Sequence, residues 1–303
     1  MMEMTTLQRQ IAELLPDIDI LYNEPMEKHT SFHIGGNAEI MVLPRDTDSL
    51  REILRACERC KVQPRILGAG TNILAPDDGI AGVVVCLKDA LNELKQIGDT
   101  QIYASAGVTM SRAAVFAASH SLGGMEFAHG IPGTVGGGVY MNAGAYDGEI
   151  ADICLYADLM RPDGTVVRVS GADMEFSYRH SRLENSADIV LGAAFQLVSR
   201  PEAEIREKMQ SLLSRRKASQ PLDMPSAGSA FKRPKGGYAA ALIDEAGLRG
   251  YRVGDAAVSE KHTGFAVNLG NATASDVTKL LQNVSDIVFE RFGIRLEPEI
   301  RIW

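Results

Sequence analysis

The chain reads as an α+β protein in two parts, a larger β-rich region to about residue 200 and a smaller α+β region over 201–303. Three observations carry this reading. Between residues 40 and 200, short runs rich in β-branched residues follow one another, divided by glycine and proline. A long charged segment just after Pro201, EAEIREKMQSLLSRRKAS, interrupts that rhythm and marks a boundary. Beyond it, Val277, Leu280, Leu281, Val284, Ile287 and Val288 recur at helical spacing, one core-facing stripe of a helix over 275–292. A length of 303 residues also exceeds what a single hydrophobic core usually serves.

The elements follow in order. Residues 7–15 open the chain as an amphipathic helix, and a loop through Glu24 and Pro25 follows. Strands are expected at IMVLP (40–44), RILG (65–68), GVVVCL (82–87) and QIYASAG (101–107). A hairpin joins LYADLM to TVVRVS through Pro162-Asp163-Gly164, where glycine supplies the positive φ of the turn. Two helices interrupt these strands. One starts at Thr47-Asp48-Ser49, whose side chains suit an N-cap, and the other covers 110–120. The chain closes on a strand-like IRLEPEIRIW.

Composition excludes several classes. Hydrophobic residues make up 45% and charged residues 23%, the balance of a globular protein. No run of about 18 apolar residues occurs, so no membrane insertion is expected. The opening MMEMTTLQRQIAELLPDIDI has none of the layout of a signal peptide, and the cytoplasm is the expected compartment. A net charge of −8 argues against nucleic acid as a partner, although a few basic residues in one place still bind an anionic small molecule. Cys57 and Cys60 form a CxxC inside a helical pattern without a second pair, so reduced thiols are expected rather than zinc or redox chemistry. His29 and His33 lie in a loop without an HExxH pattern, and no metal role is expected.

Two segments concentrate glycine. RILGAGTNIL is a strand entering a loop with Gly68, Ala69, Gly70, Thr71 and Asn72. GIPGTVGGGVYMNAG holds Gly130, Ile131, Pro132, Gly133, Thr134, Gly136, Gly137, Asn142, Ala143 and Gly144. Residues without Cβ let successive N–H groups converge on an anion, and Thr and Asn side chains add partners. One such segment alone reads as a tight turn; two in one β-rich region read as a dinucleotide cradle. Its type is restricted. Ile73 stands where a Rossmann fingerprint needs its third glycine, and no GxxxxGK[ST] exists.

Thr30-Ser31-Phe32-His33-Ile34-Gly35-Gly36, GAGTNIL and GMEFAHGIPGTVGGGVYMNAGAY resemble the FAD domain of the vanillyl-alcohol-oxidase-like flavoproteins. With Tyr178-Arg179-His180-Ser181, Gly228-Ser229-Ala230-Phe231, LIDEAGLRG, SEKHTGF and LEPEIR in this order, the chain resembles, more narrowly, the UDP-N-acetylenolpyruvoylglucosamine reductase family. The short interval between YRHS and GSAF matches the subclass without an inserted substrate-covering loop. The resemblance implies a two-part FAD-binding PCMH-type domain over 1–200, with lobes of about 1–95 and 96–200, then a smaller α+β substrate-binding domain over 201–303. It also implies non-covalent FAD, NADPH as co-substrate and reduction of the enolpyruvyl ether of a UDP-sugar, a step of peptidoglycan precursor synthesis. His33 stands where the family usually has Arg or Lys, and Thr71 where it often has Ser; both keep donor capacity.

In that reaction hydride reaches carbon 3 of the enolpyruvyl group while negative charge gathers on carbon 2 and the carboxylate, so a cation and a proton donor are required. The resemblance assigns the carboxylate to Arg179, whose guanidinium can grip it bidentately, with Arg182 as a neighbour that keeps an ordinary surface role open. It assigns the proton to Ser229, which outside the motif would read as a turn residue. Glu299 would donate a hydrogen bond to the enolate if protonated. Strand alternation across Pro298 puts Glu297 on the same face, and the residues alone do not separate the two. For the UDP-sugar the candidates are Tyr178, the cluster Arg215, Arg216 and Lys217, and Lys261; a basic helix end also suits the helix dipole as a solvated cap. Two other readings stand beside this one. A sugar or alcohol oxidase of the same fold would need His129 for a covalent flavin link, and a nucleotide-sugar-binding flavoprotein would need no catalysis.

Overall fold

Thr5 starts the first helix, Thr6–Leu14, with a capping box: its hydroxyl accepts the Gln8 N–H while the Gln8 carboxamide accepts the Thr5 N–H. The structure, a computed structural model, describes residues 4–303, so the first three residues of the opening stretch lie outside it. The described chain is α+β and forms two compact units that it visits alternately. The first comprises residues up to Tyr22, Ile40–Ala69 and Gly82–Arg215; the second comprises Asn23–Glu39, Gly70–Ala81 and Arg216–Trp303.

Two sheets organise the first unit. In one, strands Asp19–Pro25, Asn37–Leu43, Ile80–Cys86 and Arg65–Leu67 stand in that order, the last pair parallel, with residues 23–25, 37–39 and 80–81 counting with the second unit. Helix Thr47–Arg59 buries Leu50, Ile53 and Cys57 in a core shared with Ile40, Val42, Val83 and Val85. Its cap is Asp46, one residue before the expected start, because the Asp46 carboxylate accepts the Ser49 N–H and the Ser49 hydroxyl accepts the Asp46 N–H. The other sheet is antiparallel, ordered Val166–Ser170, Cys154–Met160, Ile189–Gln196, Gln101–Ser105 and Leu94–Gly98. Its hairpin closes at the predicted turn: Met160 faces Val166, Gly164 has φ +81°, and its N–H reaches Arg161 O at 2.9 Å. Helices Met110–Ser119 and Val135–Tyr140 share this sheet's core with Ile102, Ala193 and Phe195.

The second unit is built on helix Ala274–Phe292. Val277, Leu280, Leu281, Val284 and Val288 are buried as its pattern predicts, Ile287 partly so. They share a core with a three-stranded antiparallel sheet, Arg252–Val253, Ala256–Val258 and Ala266–Asn268. Phe32, Ile34 and Leu74 complete that core from earlier in the chain. Asp77 holds the helix start, accepting the Ala274 and Ser275 N–H groups at 2.6 and 2.9 Å. A shorter helix, Ala239–Glu245, begins three residues before LIDEAG and runs into it, a stretch to which the sequence assigns no element. The expected terminal strand is reduced to Arg301–Ile302, parallel to Ile73–Leu74. Pro298 has no N–H for a ladder, and residues 297–299 instead run along 230–232.

The charged segment is one helix, Glu202–Ser219, which passes from the first unit to the second at Arg215/Arg216. Among the described residues no helix is long and apolar enough to cross a membrane. All four cysteines are thiols. Burial pushes Cys57 and Cys154 up to about 12 and raises Cys60 and Cys86 as well.

Candidate active site

The two glycine segments meet in the first unit. Strand Arg65–Leu67 delivers Gly68, where a Cβ would fall 2.8 Å from Thr134 Oγ1. Six residues of the second segment form the helix Val135–Tyr140, capped by buried Thr134, whose Oγ1 accepts the Gly137 N–H at 3.5 Å. Val135 and Gly136 give their N–H groups to Val108 O and Ala106 O, at 2.8 and 3.0 Å. What Gly136 brings is therefore its bare Cα rather than a donor: a Cβ there would stand 2.9 Å from Ala106 Cβ. Gly138 is hemmed by Met110 Sδ in the same way, at 2.8 Å. Gly137 differs. Its nearest neighbour would be Thr134 Oγ1 at 3.8 Å, so only this glycine of the run keeps space that the protein does not fill. That open ground beside a capped helix start fits the close approach of a flavin dinucleotide.

The remaining cradle candidates are mostly held by the protein itself. Ile131 donates to Ala128 O at 3.0 Å, and Ala143 donates to Gly138 O at 2.8 Å while accepting from Ile150. Gly133 has φ +131°. Gly144 pairs with Glu149, and a Cβ on it would fall 2.7 Å from Glu149 Cβ. Gly130 ends the turn Glu126–Gly130, after His129, whose Nδ1 lies 3.3 Å from Ser111 Oγ and whose pKa burial lowers. In the first segment, Gly68 and Ala69 belong to the first unit, while Gly70, Thr71 and Asn72 belong to the second. Gly70 has φ +63°, and a Cβ there would fall 1.9 Å from His29 O.

Arg179 sits at the tip of a two-residue turn. Ser177 and His180 exchange both backbone hydrogen bonds at 3.1 Å, and Arg179 takes φ +56°. Its Nη2 donates to Gly144 O at 3.3 Å, and its guanidinium lies 5.2 Å from the Tyr178 ring centre. Two buried side chains fasten this turn to the glycine segment. Asn142 Nδ2 donates to Ser177 O at 3.0 Å, and Ser181 Oγ donates to Tyr140 O at 2.7 Å. Arg182 is drawn elsewhere, to Asp173 O at 3.3 Å.

Ser229 and Glu299 are brought together by backbone within the second unit. Ser229 pairs with Phe265, and Ala230 donates to Gly264 O at 2.8 Å. Ala230 O accepts the Glu299 N–H at 2.9 Å, and Lys232 donates to Glu297 O at 2.8 Å. Asn72 holds the far side: its Nδ2 donates to Glu299 O at 3.2 Å, and its carbonyl accepts the Arg301 N–H at 2.9 Å. Gly228 has φ +78° with nothing within 4 Å of a Cβ, so it is glycine for its backbone angle alone. Glu297 is exposed and ion-paired with Lys232, whereas Glu299 is half-buried. Gly264, Phe265 and Ser181 are the contributors that the sequence reading did not single out. Each lies inside a quoted motif, but backbone pairing and burial have no mark in the letters.

The nucleotide candidates divide. Arg215 is exposed and lies 4.7 Å from the Tyr146 ring centre, Arg216 is buried, and Lys217 is exposed. Lys261 Nζ donates to Lys217 O at 2.7 Å, so its charge serves the C-terminal end of helix Glu202–Ser219. A solvated helix cap thus describes Lys217 but not Arg216. Tyr178 is exposed. His29 pairs with Glu24 at 3.0 Å, and His33 adopts φ +54°.

Comparison with known proteins matches residues 220–303 to the C-terminal domain of UDP-N-acetylenolpyruvoylglucosamine reductase and residues 38–170 to an FAD binding domain. The UDP-N-acetylenolpyruvoylglucosamine reductase of Agathobacter rectalis is 43% identical, with 98% of each chain covered. That of Caldanaerobacter subterraneus is 45% identical over 97% of this chain and 96% of its own. The crystal structure of the Thermus caldophilus reductase superposes with a TM-score of 0.80 at 33% identity, covering 94% of this chain and 98% of that one. With a second sequence-wide match of this kind beside the shared fold and ordered motifs, the chain belongs to the UDP-N-acetylenolpyruvoylglucosamine reductase family.

Proposed function

We propose that the protein reduces the enolpyruvyl ether of UDP-N-acetylglucosamine enolpyruvate to UDP-N-acetylmuramate, with NADPH as reductant and non-covalently bound FAD, in peptidoglycan precursor synthesis. The observation that carries it is the ladder setting the Ser229 segment beside Glu299, a hydroxyl and a carboxyl with no evident task in a protein that only binds. When bound, FAD would supply the redox chemistry, the relay of hydride between NADPH and carbon 3 of the enolpyruvyl group. Gly137 would leave room for it, and Thr134 caps the helix start at that point.

Arg179 binds the substrate carboxylate and offsets the charge that grows there as carbon 3 gains hydride. Glu299 donates a hydrogen bond to the same developing enolate when its carboxyl carries a proton. The Ser229 hydroxyl gives its proton to carbon 2, completing the lactyl ether, and regains one from water. Tyr178, Arg215, Arg216, Lys217 and Lys261 remain the candidates for the UDP-sugar, Arg216 with the least freedom to move. We take 1–200 as the FAD-binding part, with lobes near 1–95 and 96–200, and 201–303 as the substrate-binding part. The cytoplasm as compartment and small molecules as the sole partners belong to the same proposal. The covalent oxidase reading is not favoured by the family match.

The test is anaerobic. Mixing with NADPH should bleach the flavin, and adding the enolpyruvyl UDP-sugar should restore its absorbance. Ser229→Ala should bleach normally yet recover about 10²-fold more slowly, the usual loss for a positioned acid. Recovery at the wild-type rate would remove Ser229 from proton transfer.

A further inference from the structure

Arg179 is an unusual place for an arginine. Its φ of +56° lies in the left-handed region, which a long side chain occupies only where the surroundings fix it. Asn142, on the segment facing it, shares that conformation with φ +44° and is fully buried. Its amide is committed on both sides: Nδ2 donates to Ser177 O at 3.0 Å, and Oδ1 accepts the Ala151 N–H at 2.9 Å. Ser181, also fully buried, sends its hydroxyl to Tyr140 O at 2.7 Å. One tie precedes Arg179 in the chain and the other follows it. Together they clamp both ends of the turn onto the backbone that closes the second glycine segment, and the guanidinium rests on Gly144 O of that segment.

We infer that Asn142 and Ser181 are positioning residues for Arg179, fixing the guanidinium relative to the glycine segment rather than touching cofactor or substrate. The inference rests on the carboxylate role given to Arg179 above. Asn142, a cofactor candidate by residue type, is thereby reassigned. The physical reason is reach: a cation that must meet a carboxylate bidentately tolerates little displacement, and a misplacement of about 1 Å in a reacting constellation costs up to about 10²-fold in rate. A two-residue turn has too few internal bonds to hold such a geometry by itself.

The experiment is single-turnover reoxidation of the NADPH-reduced holoprotein by the enolpyruvyl UDP-sugar, with flavin content measured alongside. Ser181→Ala removes one oxygen and should retain FAD and normal bleaching while slowing reoxidation about 10-fold. In an Arg179→Ala background the same substitution should add nothing, because a residue acting only through Arg179 has nothing left to position. Asn142→Ala cuts the other tie and should repeat this pattern, which keeps the test alive if either variant folds poorly. Losses that multiply with Arg179→Ala, or an unchanged rate in either single variant, would overturn the positioning role while leaving Arg179 in place. Wild-type reoxidation by Arg179→Ala itself would instead overturn the role of Arg179, and this inference with it.

Discussion

A methyl group on Gly136 would stand 2.9 Å from Ala106 Cβ, whereas on Gly137 it would meet nothing nearer than Thr134 Oγ1 at 3.8 Å. Two adjacent alanine substitutions should therefore fail differently. Gly136→Ala should lower the stability of the apoprotein by about 1–3 kcal/mol, the usual cost of overpacking. Gly137→Ala should leave apoprotein stability near wild type and weaken FAD retention. Urea unfolding of both apoproteins and a flavin titration decide it; tight FAD binding by Gly137→Ala would remove that residue from the cradle. The letters showed a glycine run without showing which glycine serves packing, since that depends on Ala106 and Met110 some 30 residues earlier. The two glutamates are a similar case. Glu297→Ala, losing an exposed ion pair, should change stability by less than about 1 kcal/mol and leave reoxidation intact, while Glu299→Ala should slow it at least about 10-fold. Equal rates for both variants would return the choice between them to where the sequence left it.

Helix ends show what local sequence does and does not specify. Asp46 caps Thr47–Arg59, and hydrogen bonds from Ser49 lower its pKa below the ordinary carboxylate value. A depressed carboxylate contributes stability that is complete above its unfolded pKa and is lost as pH falls through the lower folded value. Asp46→Ala should cost about 0.5–2 kcal/mol at pH 7, with the difference from wild type shrinking at acid pH, whereas Asp46→Asn should stay close to wild type. Urea midpoints at pH 7 and pH 3 check both; a gap that persists undiminished at pH 3 would refute the charged cap. At the other end of the helical series, Lys261→Met should lose the bond to Lys217 O and about 0.3–1 kcal/mol, an effect that fades in high salt. Long periodic elements such as Ala274–Phe292, and the Pro-Asp-Gly hairpin, were legible because period and turn chemistry are local. Helix Val135–Tyr140 was not. Glycine disfavours helix, and here a threonine cap and hydrogen bonds to Ala106 and Val108 override the propensity.

The chain passes between its two compact units five times, at 22/23, 39/40, 69/70, 81/82 and 215/216. A reading along the sequence sees one boundary near 201, because a shift in composition is visible and a pairing of 73–74 with 301–302 is not. All four cysteines lie in the first unit, and Trp303, the only tryptophan, lies in the second. Thiol labelling and tryptophan fluorescence thus follow different units in the same sample. Repeated crossing links the two, so both probes should report one transition with coincident midpoints. Separated midpoints would show that each unit unfolds on its own.

The interleaving also bears on how such a chain can be altered by recombination. A polypeptide beginning at Arg216 would lack Phe32, Ile34 and Leu74 from its core and the strand Ile73–Leu74 that pairs with its last residues. Its C-terminal coding stretch is therefore not an exchangeable cassette. A chimera that imports 216–303 from a relative must import 23–39 and 70–81 with it, and a single crossover near the middle of the gene joins halves that never co-adapted.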